Sequence, residues 1–586
     1  MPRQWRFAPH DQALVARLVR EMSCSALMAQ VLAARGIHSG QAGHEFLEAR
    51  LANLHSPDLL PGIPAAADRI VAALQAERRI TIYGDYDVDG VTATSMLWHC
   101  LKLAGGQVDY YIPSRLEEGY GLNHEALRTL HAEDPSRLII TVDCGICSLS
   151  EADLAAELGL ELIITDHHTL DESLPAAAVN VHPRLPGSEY PFPDLCGAGV
   201  AFKLAWAVCQ RLGDGTRASP RMREYLKSAV GLAAMGTIAD VVPLRGENRI
   251  LVRYGLTALQ ENPLPGLEFL RKIAGYDRQR SLSAEDIAFG LAPRINAAGR
   301  LGQARLAVEL LTTENRTRAA QLADYLDQLN KNRQTVERKM YRQAKELVEA
   351  HPEWDEHAAL VVASDEFHPG VMGIVASRLV DRFQKPAIMI ALNRELGLGQ
   401  GSGRSCGEFD LHAGLTECRE FLEAFGGHRA AAGLRIQLNQ IEDFRLAFAN
   451  QIAGQAGTGT VAMPELQIDA EVALHDLTRQ AVRELDRLGP FGAQHRRPIF
   501  SCGRIQLVEP PGTMGGGQRH LSLKVRQGEQ VLRCVAFGKG DWAEEIAQAS
   551  DDLEICFSPS INQFRGMENV ELQLHDWRPA AGNRAN

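Results

Sequence analysis

The sequence predicts an α/β protein whose main domain is an open, mostly parallel sheet. The pattern of its apolar runs is the first reason. Between Arg79 and about Pro183, short and nearly continuous apolar runs alternate with helical stretches. Such runs suit parallel strands buried on both faces. The second reason is where the charged groups fall. Acids and histidines follow directly on three of these runs, and the carboxyl ends of strands are where an open sheet binds its ligands. The C-terminal tail then changes to period-two alternation, the mark of a separate small antiparallel β-domain.

The elements follow in order. Strands are expected at ITIY from Ile80, VDYYI from Val108, LIITV from Leu138, LIIT from Leu162 and VNV from Val179. Helices separate most of them, at Val91 to Leu103 and Ser150 to Leu158. Right-handed crossovers put all the strand carboxyl ends on one edge. Further helices run through Thr313. A long polar helix is expected from about Arg316 to Ala350, with Leu322, Leu326, Leu329, Val336, Met340 and Leu347 near helical spacing. Its length suits a connector between domains. A second α/β region spans about His357 to Gln451, and GQAGTGT from Gly454 reads as a linker. The alternating segments of the tail are LSLKVR from Leu521, VLRCVAF from Val531, LEICF from Leu553 and VELQL from Val570.

Composition sets the outer bounds. At 586 residues the chain exceeds what one core holds, so several domains are expected. No uninterrupted apolar run reaches about 18 residues, so no membrane-spanning helix is expected. The start, MPRQWRFAPHDQ, lacks an apolar signal core, and the 11 scattered cysteines suit reduced thiols. Both point to the cytoplasm. The net charge of -12 argues against a nucleic-acid partner only on average. A site for divalent cations must itself be acidic, and a long chain has room for a local basic channel.

The strongest signal is the set of acids. Asp85, Asp87 and Asp89 lie in GDYDVDG directly after the first run. Asp143 follows the Leu138 run, and Asp166, His167 and His168 follow the Leu162 run. Asp240 closes the apolar segment GLAAMGTIAD. So many carboxylates in one place do not all stay ionised without a cation. Oxygen ligands with one or two imidazoles fit Mn²⁺ or Mg²⁺ better than zinc. Two such ions about 3.5–4 Å apart activate water and stabilise both the attacking and the leaving oxygen of a phosphoryl transfer.

Three plainer readings compete. D-x-D-x-D-G from Asp85 opens like a calcium loop, but its twelfth position is Met96 and a strand precedes it. Helix capping, with Asp89 ahead of a helix at Val91, explains one acid but not the set. Cys144 and Cys147 have redox spacing, yet they sit at a strand end with no second pair for zinc, so the spacing reads as chance.

Taken together, GDYDVDG, TVDCGI, TDHH and GTIADVVP resemble the successive motifs of the DHH phosphoesterase superfamily. IPSRLEEGYGLN, GAGVAFKL, LAPRINAAGRL, GIVASRL, GSGRS, GGHRAAAG and INQFRG are similar, in the same order, to segments of its RecJ family. The resemblance implies a DHH catalytic domain with an N-terminal helical extension over residues 1–314 and a connecting helix over 315–352. It implies a DHHA1 domain over 353–456 and an OB-fold β-barrel over 461–586. The implied activity is processive 5′→3′ cleavage of single-stranded DNA to 5′-mononucleotides with Mn²⁺ or Mg²⁺. Recombination and repair are the implied setting, with single-strand-binding protein and a helicase as partners. Cys144 stands where many relatives carry Asn, which leaves the neighbouring Asp143 ligand in place.

By match to those motifs, one metal falls to Asp87 and Asp143 with Asp85. The other falls to Asp89, Asp143, His167 and Asp240, with Asp143 bridging. His168 is expected on substrate phosphate, and Asp166 as the acceptor that orients the imidazoles. Arg115 with Ser402, Gly403 and Arg404 is expected to grip a 5′-phosphate: small residues admit backbone N–H groups and Arg offers a fork. Arg294, Asn296 and Arg300 are candidates for the DNA backbone, with a structural salt bridge as the competing role. Gly426, Gly427 and His428 are read as a substrate loop, against a plain tight turn.

In the tail, Ser522, Lys524 and Arg526 share one strand face, either solvated or binding a single strand. Phe537 and Phe564 are the aromatics available for base stacking, worth about 1–3 kcal/mol per base. Two other functions stay open. One is a DHH phosphodiesterase for short oligonucleotides or cyclic dinucleotides, against which the long C-terminal domain argues. The other is a non-catalytic binder of single strands, against which the filled ligand positions argue.

Overall fold

The computed structural model describes residues 3–116, 118–261, 263–276, 280–407, 409–455, 465–549, 552–564 and 567–580, with backbone alone at 563 and 564. Phe564's side chain and most of the stretch read as a linker thus lie outside the described residues. The chain forms two units, one over residues 54–462 and one that joins residues 1–53 to 463–586. Among the described residues no helix is long and apolar enough to cross a membrane.

The first unit is built on a five-stranded, wholly parallel sheet. Its order is Val108–Tyr111, Ile80–Gly84, Leu138–Val142, Glu161–Thr165, Val179–Val181. The strand first in sequence lies second in the sheet, so the winding reverses between the Ile80 and Leu138 strands. A doubly wound sheet leaves a crevice at the carboxyl ends of such a pair. Both faces are buried. Ile80, Ile82, Leu138 and Ile140 join one core with helices Val88–Leu103, Gly197–Arg211 and Pro220–Ala239. Tyr83, Ile139, Leu162 and Ile164 join another with helices His124–Glu133 and Leu149–Glu157.

The helix Arg316–Glu349 links this domain to the next. Leu322, Leu326 and Leu329 belong to the first core, while Met340, Ala344 and Val348 belong to a second. That second domain has a mixed sheet ordered Leu422–Gly427, Ala431–Gln437, Leu398–Arg404, Ala387–Asn393, Leu360–Ser364, parallel only in its last pair.

In the other unit, strands Phe500–Leu507, Leu553–Phe564, Met567–Pro579, Gln530–Ala536 and His520–Gln527 lie side by side. Pairing of Gln506 with Arg526 and Leu507 with Val525 closes them into a barrel. The period-two reading holds in detail on the His520 strand, where Leu521, Leu523 and Val525 are buried and Lys524 and Arg526 exposed. The N-terminal segment needs a correction. Strand Gln4–Phe7 pairs in parallel with Glu465–Ile468, and Leu18, Met28 and Leu32 share a core with Leu485, Leu488 and Phe500. The segment therefore groups with the C-terminal barrel rather than with the catalytic domain. Its apolar helix faces carry no mark of which sheet they cover.

A buried ion pair anchors one helix of the parallel-sheet domain. Lys203 is fully buried and donates to Glu247 at 2.5 Å and to the His55 carbonyl at 2.6 Å. Glu247 also accepts from the His55 N–H and the Tyr190 hydroxyl. Removing one partner of such a pair strands the other charge and costs about 3–5 kcal/mol. Lys203→Ala is therefore expected to lower the unfolding free energy of this unit, read from its urea denaturation curve, by that margin. An unchanged denaturation curve would show that the pair is not what anchors the helix.

Candidate metal centre and its surroundings

Four chain segments meet at the reversal point of the parallel sheet. Asp85 leaves the Ile80 strand, and Asp87 caps the helix Val88–Leu103, its Oδ1 accepting from Asp89 N at 2.8 Å and Gly90 N at 3.2 Å. The helix thus starts three residues earlier than its apolar pattern indicates, and the cap is Asp87, not Asp89. Asp89, 1% exposed, is turned inward from the first turn. Its carboxylate accepts from Gly197 N at 2.6 Å and Ala198 N at 2.8 Å, the open end of a second helix. Asp143 leaves the Leu138 strand at φ 63°, a left-handed conformation that a residue with a Cβ adopts at a cost. His167 and His168 follow the Glu161–Thr165 strand, and Asp240 ends the helix Pro220–Ala239.

These groups converge. His167 Nε2 stands 3.1 Å from Asp143 Oδ1, 3.6 Å from Asp240 Oδ2 and 3.8 Å from Asp89 Oδ2. Ligand atoms of Asp85, Asp87 and Asp143 lie within 4.8 Å of one another, as do those of Asp89, His167 and Asp240, and those of Asp143, His167 and His168. The approach is close because two neighbours lack a side chain. A Cβ at Gly197 would lie 2.4 Å from Asp143 Oδ1, and one at Gly236 would lie 2.3 Å from Asp89 Oδ1.

The electrostatics are those of a site that wants positive charge. Burial, then the charge of Asp87, raises the Asp85 carboxyl, and burial raises Asp89. Burial and four neighbouring aspartates raise Asp143. Burial, then Asp89 and Asp87, pushes Asp240 up to about 8. Burial lowers His167 to about 4, so it is a neutral ligand at neutral pH. Asp85 Oδ1, Asp143 Oδ1 and His167 Nε2 are buried with no hydrogen-bond partner. Buried acceptors left this way are costly. An oxygen-rich set with one neutral imidazole fits Mn²⁺ or Mg²⁺, and Asp143 faces both clusters. The donor set passes the test for two hard divalent ions.

Asp166 sits behind the histidines as expected. Against burial, its contact with His168 (2.7 Å to Nδ1) holds it down at about 2, and the same contact raises His168 to about 9. It also accepts from the N–H groups of Ile146 and His167, which ties the loop after the Leu138–Val142 strand to its own. Two aromatics that the motif reading passed over line this edge. The Tyr120 hydroxyl donates to the Asp143 carbonyl at 3.1 Å and lies 3.1 Å from His168 Nδ1. Tyr86, between Asp85 and Asp87, carries the Arg115 guanidinium 5.0 Å from its ring centre. The signal available was Tyr120's place in the Arg115 segment and Tyr86's place between two ligands.

The arginines divide. Burial, then the charges of Arg115, Arg333 and Arg404, pulls Arg300 down to about 10. Mutual repulsion of this kind marks a site that favours an anion. Arg404 leaves a strand whose Ser402 hydroxyl lies 3.4 Å from its guanidinium, and Gly403 is buried behind it. Arg333, from the connecting helix, had no motif to announce it. Arg294 does not join this group. It is held by Asp327 at 2.9 Å and by the Gly290 carbonyl at 2.6 Å, so the salt-bridge reading prevails over DNA contact. Asn296 spends its Oδ1 on Val88 N at 3.0 Å.

Gly426, Gly427 and His428 form an exposed hairpin tip closed by His428 N on the Ala431 carbonyl, and Ala431 pairs with Arg404. Lys524 is exposed beside Glu509 at 3.1 Å. Phe537 is exposed, edge-on to His520. Cys144 is buried and Cys147 exposed, each with a different carbonyl partner, so the two do not form a redox pair.

This fold and acidic centre define a phosphoesterase of the DHH class. The sequence matches the model of the DHH family, N-terminal domain, over residues 79–237, that of the DHHA1 domain over 356–455 and that of the RecJ OB domain over 468–576. Similarity extends over nearly the whole chain to the single-stranded-DNA-specific exonuclease RecJ of Bacillus subtilis (strain 168), 39% identical across 98% of this chain and 70% of that protein. The crystal structure of RecJ in complex with Mn²⁺ from Thermus thermophilus superposes with a TM-score of 0.82 at 32% identity, covering 99% of this chain and 80% of that one. The Mg²⁺ complex from the same organism gives 0.77 at 31%, covering 99% and 79%. The chain belongs to the RecJ family.

The tight packing behind the ligands is open to test. Gly197→Ala places a methyl against Asp143 and is expected to weaken Mn²⁺ binding by about tenfold or more by calorimetry. Wild-type affinity in that variant would mean that Asp143 has room to move.

Proposed function

We propose that the protein is a metal-dependent exonuclease specific for single-stranded DNA, which removes 5′-mononucleotides in the 5′→3′ direction. The observation that carries this reading is the Asp85–Asp87–Asp143 cluster beside the Asp89–His167–Asp240 cluster, joined where His167 Nε2 stands 3.1 Å from Asp143 Oδ1, with Arg115 stacked on Tyr86 between Asp85 and Asp87. Asp85, Asp87 and Asp143 would hold one Mn²⁺ or Mg²⁺, and Asp89, Asp143, His167 and Asp240 the other. When bound, the two ions supply a water activated at neutral pH and charge stabilisation at the scissile phosphate.

The remaining work falls to the protein's own groups. Arg115, Arg300, Ser402 and Arg404 bind a terminal 5′-phosphate, the forked guanidinium being suited to it. This sets the register from the 5′ end. His168, kept cationic by Asp166, donates to a non-bridging phosphate oxygen. Tyr120 holds the Asp143 loop through its carbonyl and orients the His168 ring. The Gly426–His428 hairpin extends the wall beyond Arg404. Lys524 and Arg526 attract the strand on the barrel, where Phe537 offers a stacking face. The setting we infer is cytoplasmic recombination and repair, with single-strand-binding protein and a helicase presenting the strand.

End-labelled digestion tests the reading. With Mn²⁺, single-stranded DNA carrying a 5′-phosphate is expected to yield mononucleotides from that end. A duplex, or a reaction with chelator, is expected to yield none. Asp143→Ala is expected to be inactive, since both clusters lose a shared ligand. Arg404→Ala is expected to lower the preference for a 5′-phosphate over a 5′-hydroxyl by about tenfold or more. Cleavage confined to dinucleotides, or activity near wild type in Asp143→Ala, would refute the assignment.

A further inference from the structure

We infer that Asn296 is a positioning residue for the metal-binding loop and acts through the start of the helix Val88–Leu103, not through DNA. The first N–H groups at that helix end have no partner inside the helix. Asp87 Oδ1 takes those of Asp89 and Gly90, and Val91 N bonds back to the Asp87 carbonyl at 2.9 Å. Val88 N is the one that Asp87 does not take, and Asn296 Oδ1 takes it at 3.0 Å from 208 residues away. Val88 is fully buried and lies between the two acids Asp87 and Asp89, so its peptide sets the direction of both.

A second contact on the same helix reinforces the first. Asn296 lies on Ala292–Arg300, and a Cβ at its Gly299 would come within 2.3 Å of the Tyr86 carbonyl. The helix therefore abuts the Asp85–Asp89 loop at both Tyr86 and Val88. It is itself fixed from behind. Arg294 is bound to Asp327 of the connecting helix, and Arg300 donates to the Gly370 carbonyl of the second α/β domain at 3.3 Å. Outer partners of this kind orient ligands, and their loss typically costs about ten- to hundred-fold in metal affinity.

The inference rests on the metal-site reading, and two measurements on two variants separate the two. Asn296→Leu keeps the size but loses the acceptor, whereas Asn296→Asp keeps an acceptor and would repel a phosphate. Mn²⁺ affinity is read by calorimetry, and affinity for a single strand is read without divalent ion at matched salt. Asn296→Leu is expected to weaken Mn²⁺ binding about tenfold or more while strand affinity stays within about twofold of wild type. Asn296→Asp is expected to recover Mn²⁺ affinity to within about threefold of wild type. If the leucine variant does not fold, the aspartate variant decides alone, because loss of Mn²⁺ binding there overturns the assignment. Wild-type Mn²⁺ binding in Asn296→Leu, or loss of strand affinity in both variants with unchanged Mn²⁺ affinity, also overturns it. Failure of the wild type itself to bind Mn²⁺ would instead remove the reading on which it rests.

Discussion

Charge that has been deliberately crowded governs this molecule. Asp85, Asp89 and Asp143 are each all but removed from water, and burial raises every one of them, with neighbouring aspartates adding to it at Asp85 and Asp143. A folded chain holds such a group only if something repays its lost hydration. The backbone N–H groups of two helix starts do part of this, at Asp87 and at Asp89. The unpartnered oxygens of Asp85 and Asp143 define the part that is left over. Divalent cations complete the account, so the architecture around the centre can be read as whatever keeps those oxygens pointed at one another.

That architecture is mostly backbone. The winding reversal of the parallel sheet opens the crevice. Gly197 and Gly236 let helix backbones approach two of the ligands to distances that no side chain permits. Asp143 accepts a left-handed backbone to face both clusters. The second row is built of polar contacts that reach across the chain. Asp166 ties Ile146 to His168, and Tyr120 reaches the Asp143 carbonyl. Lys203 and Glu247 anchor the helix whose open end holds Asp89. The ligands are thus fixed by elements that converge on them from several directions.

Much of this was legible in the sequence, for definite reasons. Apolar runs with acids at their ends report a parallel sheet and the edge where ligands bind, so the five central strands and the gathering of these acids at one edge could be read directly. The long connector showed itself by helical spacing. What the sequence hid were choices among partners. A helix start moved from Val91 to Val88 because Asp87 caps it, and no pattern of apolar residues reveals that. Arg294 and Asn296 carry groups that suit a phosphate equally well, and only the fold shows Asp327 and Val88 N in reach. The N-terminal helices have apolar faces that fit any core, and their attachment to the barrel is set by strand pairing near Glu465.

The overall acidity of the chain stops being a paradox once charge is counted locally. A net charge of -12 describes the surface seen from afar, yet within about 8–10 Å at physiological salt only nearby charges matter. At the centre the acids are matched by the cations they are built to bind, and two divalent ions offset most of their charge. Arg115, Arg300 and Arg404 then tip the balance, Arg333 being paired with Glu337, and the repulsion visible in the lowered Arg300 would be relieved by an anion. The net negative charge of the chain disfavours a nucleic-acid backbone on average. A strand is then drawn only to the places where cations are concentrated, so the average charge that seemed to argue against a nucleic-acid partner helps to confine one.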